Sequence, residues 1–198
     1  MQAFPGDGSF DHKEGGRGVG VAGLVLAAGA GRRYGGPKAL DFLDQAMRTL
    51  RDGGCDPIIA VLGAGIDQVR DTFDLRGVQV VDNPDWAEGM GSSLRRGLAV
   101  AAELDEITAV CVHLVDMPGV TAPAVARLLA LAGPGRLARA CYQGVPGHPV
   151  LLGREHWAAI ATTLTGDQGA RAYLREHAAE VVAVECGDVA EGYDVDVR

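Results

Sequence analysis

An apolar run over residues 21–27, Val-Ala-Gly-Leu-Val-Leu-Ala, breaks off directly into a loop that carries Gly29, Gly31, Gly35 and Gly36 together with Arg32, Arg33 and Lys38. A run without polar alternation fits a central parallel strand, covered on both faces. Glycines let backbone N–H groups approach an anion, because no Cβ intervenes and positive φ is permitted. The clustered cations add neutralising charge. The stretch therefore constrains the chain to an α/β sheet with a phosphate-holding loop at the carboxyl end of its first strand. A Walker loop is excluded, since Lys38 follows Pro37 and precedes Ala39 instead of lying in a Gly-Lys-Ser/Thr ending. A dinucleotide fingerprint is disfavoured as well, because its third glycine would fall at Tyr34. A plain strand-to-helix turn with solvated arginines is the remaining alternative at this point.

The rest of the chain repeats the pattern. Strands are expected over residues 57–63, 78–81 and 107–115, separated by helices over 41–52, 66–73 and from 92 to about 104. The helix over 41–52 follows from Phe42, Leu43, Ala46, Met47 and Leu50 at helical spacing, with Gly53-Gly54 as its stop. Helices over 123–132 and 154–163, a last helix from 165 to about 177, strands over 136–143 and 148–152 around a Gly144–Gly147 turn, and a final strand over 180–185 complete the reading. The expected fold is a single-domain three-layer α/β/α arrangement, Rossmann-like, with a mostly parallel sheet and an antiparallel edge. Residues 1–18 lack periodicity and are read as a flexible tail, and 19–198 as the domain.

Composition decides what such a site faces. A formal charge of −8 disfavours nucleic acid and anionic membranes as partners. The chain holds no apolar run of membrane-spanning length and no signal-type segment at its start, so a cytoplasmic protein is expected. Cys55, Cys111, Cys141 and Cys186 are far apart in sequence, which favours buried thiols over zinc ligands or disulfides. At the sheet's carboxyl edge, where open α/β sheets bind ligands, two features stand out. Gly91, Ser92 and Ser93 open a helix whose free N–H groups suit an anion or a base edge, with Ser92 as a simple N-cap equally open. Asp116 ends an apolar strand, and an ionised carboxylate there is costly unless paired or metal-bound. His113, inside that strand, is read as core.

The loop matches Leu-Ala-x-Gly-x-(Gly/Ser)-x-Arg-x-Gly-x-x-Lys from Leu26 through Lys38, and so resembles the opening motif of the MobA-like nucleotidyltransferases. Gly89-Met-Gly-Ser-Ser-Leu-Arg-Arg-Gly-Leu98, Val115-Asp-Met-Pro118, Gly147-His-Pro-Val150, Gly166-Asp-Gln-Gly-Ala-Arg171 and Asp194-Val-Asp196 resemble the family's later motifs, in order. They are most similar to the molybdenum cofactor cytidylyltransferase branch. The resemblance implies a nucleotide-diphospho-sugar transferase type of fold and a Mg2+-dependent transfer of CMP from CTP to the phosphate of molybdopterin. It further implies Lys38, Arg32 and Asp116 as catalytic residues. Leu26, Ala27, Ala28, Gly29, Gly31, Arg33, Gly91, Ser92 and Ser93 would bind the nucleotide, Arg33 being open between this role and a solvated one. Gly147, His148, Asp167 and Arg171 would lie on the acceptor side. Asp116 would hold the metal with Asp196 or Asp194, Asp196 being favoured. Asp116-Met-Pro matches the guanylyltransferase form, which points to GTP, whereas Ala28 points back to CTP. Two other functions stand beside this one. The first is a non-catalytic carrier that inserts the molybdenum cofactor into a hydroxylase apoenzyme. The second is a nicotinamide or flavin oxidoreductase, which the mismatch at Tyr34 disfavours.

Overall fold

In the computed structural model, which describes residues 20–197, the first strand β1 (Gly20–Ala27) sorts its side chains by parity. Val21, Val25 and Ala27 enter one hydrophobic core, and Ala22, Leu24 and Leu26 enter the other. This is the two-sided burial expected of a central strand. The strands β2 (Ile58–Leu62), β3 (Val78–Asp82), β4 (Ile107–Leu114), β5 (Leu137–Tyr142), β6 (Val145–Gly153) and β7 (Val181–Glu185) complete one sheet in the order β3-β2-β1-β4-β6-β5-β7. The pairs β1·β2, β2·β3, β1·β4 and β5·β7 are parallel, whereas β6 runs antiparallel to both β4 and β5.

The antiparallel strand is thus internal, and the edges are β3 and β7, which corrects the expected antiparallel edge. The cause is the β5–β6 connection. Gln143 and Gly144 adopt φ of 53° and 77° and make a tight two-residue turn. Val145 to Gly147, expected as part of a turn, therefore already belong to β6 and carry His148 with them.

Helices α1 (Ala39–Asp52), α2 (Ile66–Thr72) and α4 (Ala122–Leu129) supply the residues of the first core, and α3 (Met90–Ala102), α5 (Arg154–Thr163) and α6 (Arg171–Glu176) those of the second. Close approach fixes α3 to the sheet, since a Cβ on Gly97 would lie 2.5 Å from Leu24 Cδ1. The last predicted helix is divided. Gly166 and Gly169 have φ of 50° and 51°, so a short 3-10 turn, Gly166–Gln168, precedes α6. All four cysteines are buried free thiols, as expected. The flexible-tail reading of residues 1–18 lies outside the described residues. Among the described residues no helix is long and apolar enough to cross a membrane.

Candidate functional site

The loop after β1 is closed by its own backbone. The N–H groups of Gly35 and Gly36 both donate to the Gly31 carbonyl, at 2.9 and 3.2 Å. Gly31 has φ of 57°, and a Cβ there would stand 1.9 Å from the Gly36 carbonyl oxygen. No other residue fits this position without rebuilding the loop. Tyr34 is buried against Phe42 at a ring distance of 5.9 Å and anchors the loop to α1. Ala64 N–H donates to Ala28 O at 3.0 Å, which ties the loop to the end of β2.

This folding brings Lys38 to Asp116. Lys38 Nζ lies 2.8 Å from Asp116 Oδ2 and 3.5 Å from Asp196 Oδ1, and Arg33 Nη1 lies 3.1 Å from Asp196 Oδ2. Asp116 is positioned by the end of β4 and by residue 195, whose N–H donates to its carbonyl at 2.9 Å. Of the two ways to offset a carboxylate at the end of an apolar strand, pairing is present, since Lys38 faces Asp116 from within the protein. Two carboxylates and one ammonium thus meet at the mouth of an open cleft of about 240 Å3, whose walls include Leu26, Ala28, Gly29, Gly31, Ser93 and Asp167. Arg32 is exposed and lines an outer shelf with Arg33, Lys38 and Asp196.

Some expected residues fall elsewhere. Ala27 points into the core. Gly91 is buried inside α3, where a Cβ would lie 3.1 Å from Gly166 O, and it does not line the cleft. Ser92 is neither N-cap nor cleft residue. Gly89 holds the N-cap position, and the Ser92 hydroxyl shares its one proton between the carbonyls of Asp85 and Gly89 while accepting from Asn83 Nδ2. The same Asn83 amide donates to Ser93 Oγ at 2.9 Å, and Ser93 lines the cleft. Asp194 is exposed and makes no ion pair among the described residues. Met117 is 5% exposed within the core, so the Asp-Met-Pro variation does not reach the cleft.

Beyond Leu26, Met90, Leu114 and Asp167 the cleft opens into a second compartment of about 140 Å3 that holds Gly147, His148 and Arg171. Asp167 stands at the junction, where its carboxylate accepts the Met90 N–H at 3.3 Å. Burial first, then the neighbouring Arg139 and Arg171, push His148 down to about 4, so it is neutral at pH 7.

Sequence reasoning missed three contributors. Trp86 lies in a short 3-10 turn, Trp86–Glu88, and flanks Gly63 together with Ala28, since a Cβ on Gly63 would stand 2.6 Å from Trp86 Cβ and 2.9 Å from Ala28 Cβ. Asn83 acts through the serines. Arg139 stands in β5, where a lone charge in an apolar strand was its one available signal.

Comparison with known proteins agrees with this geometry. Residues 23–181 match the family model of the MobA-like NTP transferase domain. A protein named nicotine blue oxidoreductase, from Paenarthrobacter nicotinovorans, is 39% identical over 190 residues, covering 89% of this chain and 92% of that protein. The crystal structure of Rv0371c from Mycobacterium tuberculosis H37Rv superposes with a TM-score of 0.74 at 28% identity, covering 90% of this chain and 93% of that one. A structure of that protein in complex with manganese gives a TM-score of 0.71 at 26% identity, covering 84% and 88%. With motif, fold and cleft in agreement, the chain belongs to the MobA-like NTP transferase domain family and is by class a nucleotidyltransferase.

Proposed function

We propose that the cleft transfers a nucleoside monophosphate, CMP in preference to GMP, from its triphosphate to the phosphate of a molybdopterin-type acceptor, with Mg2+ as cofactor. The observation that carries this reading is the convergence of Asp116 and Asp196 on a single cation, Lys38 Nζ, beside the glycine loop. Two carboxylates already gathered round one cation suit a divalent ion, which takes one or two protein carboxylates and completes its octahedron with phosphate oxygens and water. Asp116 and Asp196 would hold it, and when bound it supplies charge neutralisation and alignment at the phosphates. The manganese complex of the mycobacterial relative supports a divalent metal.

The chemistry asks for little else from the protein. An acceptor phosphate oxygen attacks the α-phosphorus, and the bond from that phosphorus to the bridging oxygen of the β-phosphate breaks, its electron pair leaving with pyrophosphate. A phosphomonoester has a second pKa of about 6, so it is largely ionised at neutral pH and no protein base has to remove a proton. Lys38, Arg32 and Arg33 neutralise the triphosphate, Gly29 and Gly31 offer backbone donors, and Ser93 donates to the base edge. The Ala28 methyl in the cleft wall supports cytosine over the larger guanine, while Met117 lies in the core and outside the cleft lining.

The test is incubation with each nucleoside triphosphate, Mg2+ and molybdopterin, scoring pyrophosphate. Release with CTP above GTP is expected, and release with none of them overturns the reading. The name of the 39% identical relative favours a second reading, an oxidoreductase. Nicotinamide oxidation followed at its own absorbance, in the absence of any pyrophosphate release, would replace the transferase with it.

A further inference from the structure

The second compartment contains a charge imbalance that the fold does not correct. Its floor is apolar, made by Leu94 of α3, Val112 of β4, Val150 and Leu152 of β6 and Leu174 of α6. Two guanidinium groups, Arg139 and Arg171, face this floor, and neither makes an ion pair among the described residues. The contrast with Lys38, held between two carboxylates, is direct.

Arg139 is the more constrained of the two. It stands in β5 between β6 and β7, opposite Val150 and Ala183, so its stem emerges inside the sheet and not at an edge. Among the described residues its one hydrogen bond, from Nη2 to Gly147 O, is long at 3.5 Å, and its buried Nε has no partner. A buried N–H of a charged group without an acceptor is costly, by more than a neutral donor would be. Burial and the nearby Arg171 both disfavour the charge on Arg139, while Cys141 favours it. His148, neutral at pH 7, adds no compensating charge. The one carboxylate in the lining, Asp167, already accepts the Met90 N–H. Among the described residues neither guanidinium therefore has an anionic partner, and the open compartment that both line is where a counter-charge can be supplied.

We infer that this compartment binds an organic anion with a flat apolar body, its anionic group held by Arg139 and Arg171 and its body laid on Leu94, Val112, Val150 and Leu174. Planar guanidinium forks match phosphate, sulfonate or carboxylate oxygens in pairs. In the transfer reaction this ligand is the acceptor, and the word acceptor alone rests on the reading above. Arg139 is then a specificity-determining residue, because an uncharged molecule of the same shape leaves its guanidinium without a counter-charge.

Binding can be tested apart from catalysis with two fluorescent probes, anilinonaphthalene sulfonate, a flat anion, and phenylnaphthylamine, its uncharged counterpart. The sulfonate dye is expected to bind the intact protein, to be displaced by inorganic phosphate, and to lose about tenfold or more in affinity in Arg139→Met, with Arg139→Lys between the two. The uncharged dye should bind weakly and equally to all three. Should Arg139→Met fail to fold by circular dichroism, Arg171→Met reads the same site from an exposed helix start. Undiminished sulfonate binding in the folded methionine variant overturns the inference, as does uncharged dye bound as tightly as the anion. Lys38→Ala separates the two proposals, since it should abolish triphosphate binding and leave dye affinity in place. Arginine-dependent dye binding in a protein that binds no nucleotide would sustain the anion site while removing the transferase reading.

Discussion

Asp116 shows how one side chain serves two ends. Its carboxylate faces Lys38 at 2.8 Å, with side-chain exposures of 23% and 13%, so the pair is partly screened by solvent. Asp116→Asn keeps size and leaves Lys38 with Asp196, so stability should change by only about 1 kcal/mol. Transfer should fall by about a hundredfold or more, because the substituted side chain no longer opposes the charge of a divalent ion at the phosphates. Asp196→Asn should cost less, and the double variant should fall short of the product of the two, since both act on one centre. Turnover at saturating Mg2+ is the measurement, and full activity in Asp116→Asn would remove this carboxylate from the mechanism. At this scale the sequence was legible wherever chemistry left a spacing. Gly29, Gly31, Lys38 and Asp116 could be read from the strand–loop pattern and the motif order. Trp86 and Arg139 could not, because a single aromatic in a loop or a single arginine in a strand has no period, and only the folded sheet shows which cavity it faces.

The phosphate loop is the element on which the cleft depends. Its closure on the Gly31 carbonyl requires positive φ and leaves no room for a Cβ, which would collide with Gly36 O at 1.9 Å. Gly31→Ala should therefore open the loop, costing about 1–3 kcal/mol of stability by urea unfolding. It should also lower triphosphate affinity about tenfold or more by calorimetry, as the backbone donors lose their alignment. Unchanged affinity would mean that the donors act independently of the closure. Elements with continuous apolar runs, such as β1, β2 and β4, were legible because two-sided burial leaves no polar interruption. Only the first part of β6, residues 145–147, was hidden, because Pro146 and Gly147 favour a turn locally, while the true turn at Gln143-Gly144 relies on a non-glycine residue at φ of 53°. The divided last helix was hidden for the opposite reason, since its helix-favouring residues outweighed two glycines at positive φ.

For the molecule as a whole, the antiparallel insertion of β6 beside β4 brings the two compartments onto one sheet edge and buries His113 at its centre, 2% exposed, with Nδ1 unpaired among the described residues. Burial, and secondarily His148, push His113 down to about 3, below its ordinary value of about 6.5. Above that ordinary value both folded and unfolded chains hold it neutral. As pH falls below it, the unfolded chain takes up a proton that the native chain refuses until about pH 3. Stability is thus fully present above about pH 6.5 and declines as pH falls, by up to about 1.4 kcal/mol per pH unit from this group. His113→Leu should flatten that decline when urea unfolding at pH 6 and pH 5 is compared, and an identical slope would assign the decline to other groups.

The ion pairs at Asp196 have a consequence for solution conditions. Arg33 and Asp196 are separated by 163 positions, and their side chains are 78% and 43% exposed, so small ions in the medium reach them freely. Raising ionic strength from about 0.1 M to 1 M shortens the screening length from about 10 Å to about 3 Å, enough to loosen contacts of this kind while the buried sheet is untouched. The segment at residues 193–196 would then be tethered mainly by the bond from Val195 N–H to Asp116 O. Chymotryptic cleavage after Tyr193 should accelerate with added salt well before the unfolding midpoint moves, and nucleotide with divalent metal should slow it again. The segment that completes the ionic cluster would thus behave as an electrolyte-sensitive latch, loosening in brine while the fold beneath it holds.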